Sequence, residues 1–144
     1  MIEVGNLQPS DHAVWLRLFQ GYNAFYGREL ATARADRTWS EIQNGDRIHG
    51  LGARIEGRLI GIAHFLVHPS TTSDDACYLQ DLFTDPDARG QGAGRALITA
   101  TEDWARTRGC ARLYWHTHES NTTARTLYDQ VAENRGFIQY VRPL

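Results

Sequence analysis

Cysteine is scarce in this chain: two among 144 residues, Cys77 and Cys110, far apart and in no CxxC pair. That argues against a disulfide framework or a zinc scaffold and fits a reducing cytosol. No apolar run approaches the ~18–20 residues needed to cross a bilayer. The opening Met1-Ile2-Glu3-Val4 lacks the basic stretch and apolar run of a secretory signal, so a cytoplasmic protein is expected. Positive charge is not in excess either. The 15 Lys+Arg against 17 Asp+Glu leave a formal net charge of -2, which gives no electrostatic footprint for nucleic acid. Repeats and low-complexity segments are missing. What is present is ordinary: 42% apolar and 22% charged residues, the balance of a soluble globule rather than of a disordered or coiled-coil chain. The length suits one domain, residues 1–144, around one core.

The apolar pattern changes period along the chain. Ile2-Glu3-Val4 suits a short first strand. Pro9-Ser10-Asp11 reads as a helix start. Val14, Trp15, Leu18, Phe19, Tyr22 and Phe25 then follow at helical spacing, and Gly21 and Gly27 suggest an early end or bend. A shorter helix is expected from about Thr38 to Gln43, closed by Asn44-Gly45. His49–Ile55 and Arg58–Val67 are strand-like runs joined by Glu56-Gly57, a hairpin signal. Cys77–Thr84 reads as a strand stopped by Asp85-Pro86. A glycine-rich loop then opens onto a helix reaching Arg108 and closed by Gly109. A strand over Ala111–His116, a helix over Thr122–Asn134 and a last strand over Phe137–Val141 complete the series. The order predicts a mixed α/β sheet, antiparallel in its first half and parallel at its centre.

The chemistry concentrates at Arg89-Gly90-Gln91-Gly92-Ala93-Gly94-Arg95. The first amides of a helix have no internal acceptor, and the helix dipole adds positive charge there. Glycines let the backbone approach a ligand closely. Together these features suit a pyrophosphate. A P-loop is ruled out, because no GK[ST] is present. The spacing GxGxG is not the GxGxxG of a dinucleotide fingerprint. It satisfies [Q/R]xxGx[G/A]; a tight turn without a ligand is the plain alternative.

Three further segments stand in order around this loop: Tyr78-Leu79-Gln80-Asp81-Leu82-Phe83-Thr84-Asp85-Pro86 before it, then Asn121-Thr122-Thr123-Ala124-Arg125-Thr126-Leu127-Tyr128, then Gly136-Phe137. With the loop, they resemble the GNAT superfamily of N-acetyltransferases from about His64 to Val141, most closely its diamine and histone-type branches. The resemblance implies an α/β (α+β) fold with a mixed, splayed sheet flanked by helices. It implies a direct attack by a primary amine (small amine, polyamine, amino acid or lysine) on acetyl-CoA, and a homodimer. A non-catalytic coenzyme A-binding sensor is the second reading, motivated by Gln80.

The resemblance also implies roles. Amides from Gln91 to Arg95, with Arg89 and Gly90, would hold the diphosphate of the coenzyme. Leu82, Phe83 and Thr84 would present main-chain groups to its arm, and an amide near Leu82 would polarise the thioester carbonyl. Tyr128 would protonate the departing thiolate. Asn121 would bond the coenzyme arm or cap the helix after it. The base is open. Gln80 stands where the nearest branch has an acid, and glutamine accepts no proton at neutral pH. Strand alternation turns the adjacent Asp81 to the opposite face. His116, with His118 on the same face, and a water relay are the other candidates. His64 and His68 read as structural. His116-Thr117-His118 lacks a third ligand, so no metal is expected. The N-terminal helices would build the acceptor site. There Tyr22 and Tyr26 would face a cationic amine, and Glu29, Asp36 and Glu41 are candidate counter-charges.

Overall fold

Alternating side chains in the middle of the chain build a sheet with a core on each face. The computed structural model describes residues 1–144. Five strands lie in sequence order: β1 (Ile2–Asn6), β2 (His49–Ile55), β3 (Arg58–His68), β4 (Ala76–Thr84) and β5 (Arg112–Tyr114). Neighbours are antiparallel through β4, and β5 joins β4 in parallel. Helices α1 (His12–Phe25) and α2 (Thr32–Asn44) cover one face. Helices α3 (Ala93–Thr107) and α4 (Thr122–Val131) lie on the other. Along β3, Leu59 and Ile62 join Trp15, Leu18 and Phe83 on the α1 side. Ile60, Ala63 and Phe65 join Leu97, Ile98 and Ala105 on the α3 side. No helix is long and apolar enough to cross a membrane.

The hairpin forms as its sequence predicts. Glu56 at φ 51 and Gly57 at φ 78 make the left-handed pair that a tight two-residue connection needs. Elsewhere the structure corrects the boundaries. The helix expected to begin near Thr38 begins at Thr32, behind Ala31, which offers no side-chain cap. Gly21 neither ends nor bends α1. It sits inside the helix, where an added Cβ would come within 3.1 Å of the Phe83 ring, so the glycine serves close packing. The strand expected over Ala111–His116 pairs only from Arg112 to Tyr114. The helix expected to reach Asn134 stops at Val131. The strand expected over Phe137–Val141 does not form: the segment has no partner, and its apolar side chains are exposed.

Candidate active site

The site begins with a divergence. β4 and β5 pair over three residues only, Ala76↔Arg112, Cys77↔Leu113 and Tyr78↔Tyr114. Beyond Tyr78, β4 has a neighbour on the β3 side alone. The Asp85 amide donates to the Ile60 carbonyl at 2.8 Å. Main-chain polar groups alternate along a strand, so those of Leu82 and Thr84 face the opened edge. These are two of the positions named from the sequence; Phe83, between them, is turned into the α1-side core.

Past the strand, Asp85 accepts from the Asp87 amide at 3.1 Å and from Arg17 at 3.2 Å. Those bonds, the amide first, hold its carboxyl below the ordinary range against the opposing effect of burial. The loop then turns through Gly90 at φ 81 and Gly92 at φ 90, conformations that favour glycine. The first amide of this stretch to find an acceptor in the chain is that of Ala96, which donates to Gly92. The amides from Gln91 to Arg95 have none. A Cβ at Gly90 or Gly92 would meet nothing within 4 Å. Five amides without acceptors at a helix start, on an open and glycine-lined surface, fit a diphosphate group. Arg89 lies over the Phe83 ring at 5.6 Å, and Arg95 bonds Gln130.

The decisive feature of β4 is a bulge. Phe65 pairs with Leu79 and His64 with Asp81, which leaves Gln80 without a partner on β3. The extra residue resets alternation. The expectation that Asp81 lies on the face opposite Gln80 rests on an unbroken alternation, which the bulge interrupts. Gln80 is exposed, and Asp81 stands on the α1 face beside His64. His64 is 1% exposed. The Trp15 indole donates to its Nε2 at 2.9 Å, and its Nδ1 lies 2.9 Å from Asp81 Oδ2. An indole nitrogen can only donate, so Nε2 carries the lone pair and Nδ1–H donates to the carboxylate. The result is a buried relay, Trp15 to His64 to Asp81, that fixes the direction of the carboxylate. Sequence reasoning took His64 as structural and left Trp15 in the core. The available signal was one ionisable side chain inside the apolar run Ile60–Val67.

Tyr22 completes this side. Its hydroxyl lies 3.5 Å from the Gln80 carbonyl. Burial first, then the Asp81 charge, raise its pKa, so the phenol stays a neutral donor. Tyr22 and Tyr26, the rings expected to face a cationic amine, stand together at the end of α1 with their centroids 5.1 Å apart. Arg28 lies over both rings, at 5.7 and 5.2 Å. The counter-charges proposed for such an amine are engaged or elsewhere: Glu41 pairs with Arg47, Asp36 with His12, and Glu29 is exposed.

Tyr128 packs edge-on against Trp115 at 5.4 Å. Burial pushes its phenol up to about 12, with the neighbouring Tyr26 adding to the shift. Asn121 accepts from the Ala124 amide, so it caps α4, and it donates to Thr117. The two candidate histidines part company. His116 lies 3.2 Å from the Tyr78 hydroxyl, and His118 packs on Tyr26. Phe25, Tyr26, His118 and Ser120–Thr123 line a cavity of about 390 Å³ between the end of α1 and the start of α4. A second, of about 400 Å³, lies between α1 and the end of β4, lined by Arg17, Leu18, Gly21, Phe25, Phe83, Pro86 and Arg89.

Comparison with known proteins agrees with this geometry. The Acetyltransferase (GNAT) family profile matches residues 15–132. The D-amino-acid N-acetyltransferase HPA3 of Saccharomyces cerevisiae is 30% identical, across 98% of this chain and 90% of its own. The N-acetyltransferase YhfO of Bacillus subtilis is 31% identical, across 96% and 95%. A solved structure of AAC(6')-Iy with a bisubstrate analogue superposes with a TM-score of 0.88 at 18% identity, covering 100% of this chain and 99% of that one. Family profile, full-length relatives and shared fold converge: the chain belongs to the GNAT family of N-acetyltransferases and is an acetyl-CoA-dependent acyltransferase.

Proposed function

We propose that this enzyme acetylates a small primary amine that also carries an anionic group, of the amino-acid type, with Asp81 as general base and Tyr128 as general acid. The observation that carries the reading is the Asp81 carboxylate, brought to the α1 face by the bulge at Gln80 and aimed by His64. Acetyl-CoA supplies the acyl group as an activated thioester. Amides from Gln91 to Arg95 hold its diphosphate, and the free edge at Leu82 and Thr84 receives its arm. Asp81 takes the proton from the incoming ammonium and leaves a lone pair on nitrogen. The C–N bond forms as the C–S bond breaks, the Tyr128 hydroxyl gives its proton to the departing sulfur, and the second proton lost by the nitrogen as it becomes an amide passes through water to restore the phenol. A phenol held near 12 stays protonated at neutral pH, as an acid in this position must.

The charge around the site supports the acceptor class. Arg28 and Arg89 approach from the α1 side without carboxylate partners, while Asp36 and Glu41, candidate counter-charges for a cationic amine, pair with His12 and Arg47. Among the relatives, the D-amino-acid N-acetyltransferase HPA3 acts on an acceptor of this class. The assay has a clean background. The 15 basic residues are all arginine, so no lysine of the enzyme competes for the acetyl group. Thiol release from acetyl-CoA is measured across D- and L-amino acids, aminoglycosides and polyamines. Amino acids are expected to react fastest. Release no faster than buffer across the panel would refute the reading, and a clear preference for polyamines would refute its anionic element.

A further inference from the structure

The end of α1 is closed by the backbone and then fastened again by a side chain. Gly27 stands at φ 70. Its amide donates to the Ala24 carbonyl at 3.0 Å, and the Arg28 amide donates to the Asn23 carbonyl at 2.9 Å. A left-handed glycine with these two bonds is a complete helix stop, which satisfies the last carbonyls unaided. Yet Asn23 reaches Arg28 a second time. Its Oδ1 accepts from Arg28 Nε at 3.2 Å, while its Nδ2 donates to the Phe19 carbonyl at 2.9 Å. Asn23 is 8% exposed, and Arg28 is at the surface. A buried amide thus fixes an exposed arginine by a bond that the helix end does not need.

The fixed guanidinium has no anion. Arg28 enters none of the ion pairs of the chain. With Nε engaged by Asn23, the two Nη groups remain, and a guanidinium held in this way loses little freedom when it grips a carboxylate. The rings of Tyr22 and Tyr26 form its floor. The Tyr22 hydroxyl lies beside both the Arg28 guanidinium and the Asp81 carboxylate. A cation and an anion therefore flank one hydroxyl without pairing with each other. A molecule that satisfies both must carry its ammonium and its carboxylate close together. An α-amino acid has both on one carbon. An ω-amino acid holds them several carbons apart, and an amide or a polyamine has no carboxylate to offer.

On the acceptor class proposed above, on which this rests, we infer that Arg28, held by Asn23, binds the α-carboxylate of the acceptor while Asp81 receives its ammonium. The substrate is then a free α-amino acid, and Arg28 sets that choice.

Thiol release from acetyl-CoA tests it with three acceptors: the best α-amino acid of the panel, its primary amide and ε-aminocaproate. Each is run with the parent and with Arg28→Gln, Arg28→Lys and Asn23→Ala. The parent is expected to prefer the acid over the amide by about 10²-fold in kcat/KM, as two charge-assisted bonds allow. Arg28→Gln should abolish that preference by raising KM for the acid, with kcat within about threefold. Arg28→Lys, which keeps the charge without the fork, should restore part of it. Asn23→Ala should weaken the preference about tenfold, again in KM. A preference that survives Arg28→Gln overturns the inference and leaves the acceptor class standing. An equal loss on acid and amide would make Arg28 a brace of α1 and overturn it too. A parent that takes ε-aminocaproate as well as the α-amino acid refutes the pairing of Arg28 with Asp81. A parent that takes the amide as readily as the acid refutes the anionic acceptor itself.

Discussion

Replacing Asp81 by asparagine separates catalysis from architecture at this site. Asparagine has the same shape, and its Oδ1 can still accept from His64 Nδ1–H, so the relay from Trp15 survives. What is lost is the charge and the basic lone pair. A hydrogen bond to a charged acceptor contributes about 1.5–3 kcal/mol and a neutral one about 0.5–1.5, so the fold should lose about 1 kcal/mol. For a domain of this length that is a fall of roughly 2–5 °C in Tm. Turnover should fall far more. Loss of a general base costs about 10²–10⁴ in rate, or roughly 2.7–5.4 kcal/mol in the barrier. Affinity for coenzyme A, measured by calorimetry, should not change, because the Asp81 side chain faces α1 and His64 rather than the opened edge or the loop amides. Thiol release with the best acceptor, a thermal melt and a coenzyme titration therefore give three numbers that must diverge. A rate within about threefold of the parent, under ~0.7 kcal/mol in the barrier, would show that Asp81 only braces His64.

Three other outcomes can be checked. Tyr128→Phe should slow turnover by about 10² while coenzyme affinity holds, and, with its phenol near 12, the parent should show no alkaline loss of rate from Tyr128 below roughly pH 11. Gly92→Ala and Gly109→Ala both force alanine into a left-handed φ, at 90 and 78. Each should cost about 1–2 kcal/mol of stability, but only Gly92→Ala should also weaken coenzyme A binding, by about tenfold or 1.4 kcal/mol. Burial raises the Cys77 thiol and the Tyr128 phenol, each to about 12. The unfolded chain therefore releases those protons first, and stability that is complete below the unfolded values is lost as pH rises toward 12. Urea midpoints should fall progressively above about pH 9, less steeply in Cys77→Val.

Much of the architecture was legible in local pattern. Glu56-Gly57 marked the hairpin, Asp85-Pro86 the end of β4, and the glycines from 90 to 94 the mouth of α3. What could not be read was non-local. Gly21 looked like a helix terminator because its reason for being glycine, the Phe83 ring, lies far along the chain. Ala31 gives no capping signal, so the start of α2 was invisible. The bulge at Gln80 is a property of the pairing between β3 and β4 and leaves no mark in either strand alone. The relay joins Trp15, His64 and Asp81, which lie 49 and 17 positions apart. Of the residues named for the site, Leu82 and Thr84 lie on the opened edge of β4, and the loop amides from Gln91 to Arg95 have no acceptor in the chain. Asp81, His64 and Arg28 took their places only once the chain was folded.

The unpaired Gln80 acts on β4 as a frame shift acts on a reading frame. One extra residue changes which of two adjacent letters is presented to the α1 face, without altering either letter. An acidic group can thus move by one column of a motif and keep its station in space. On the proposed role of Asp81, a glutamine in the customary column does not make a chain inert. Strand register, rather than residue identity at a fixed position, is then the proper criterion for sorting active members of such a family from silent ones.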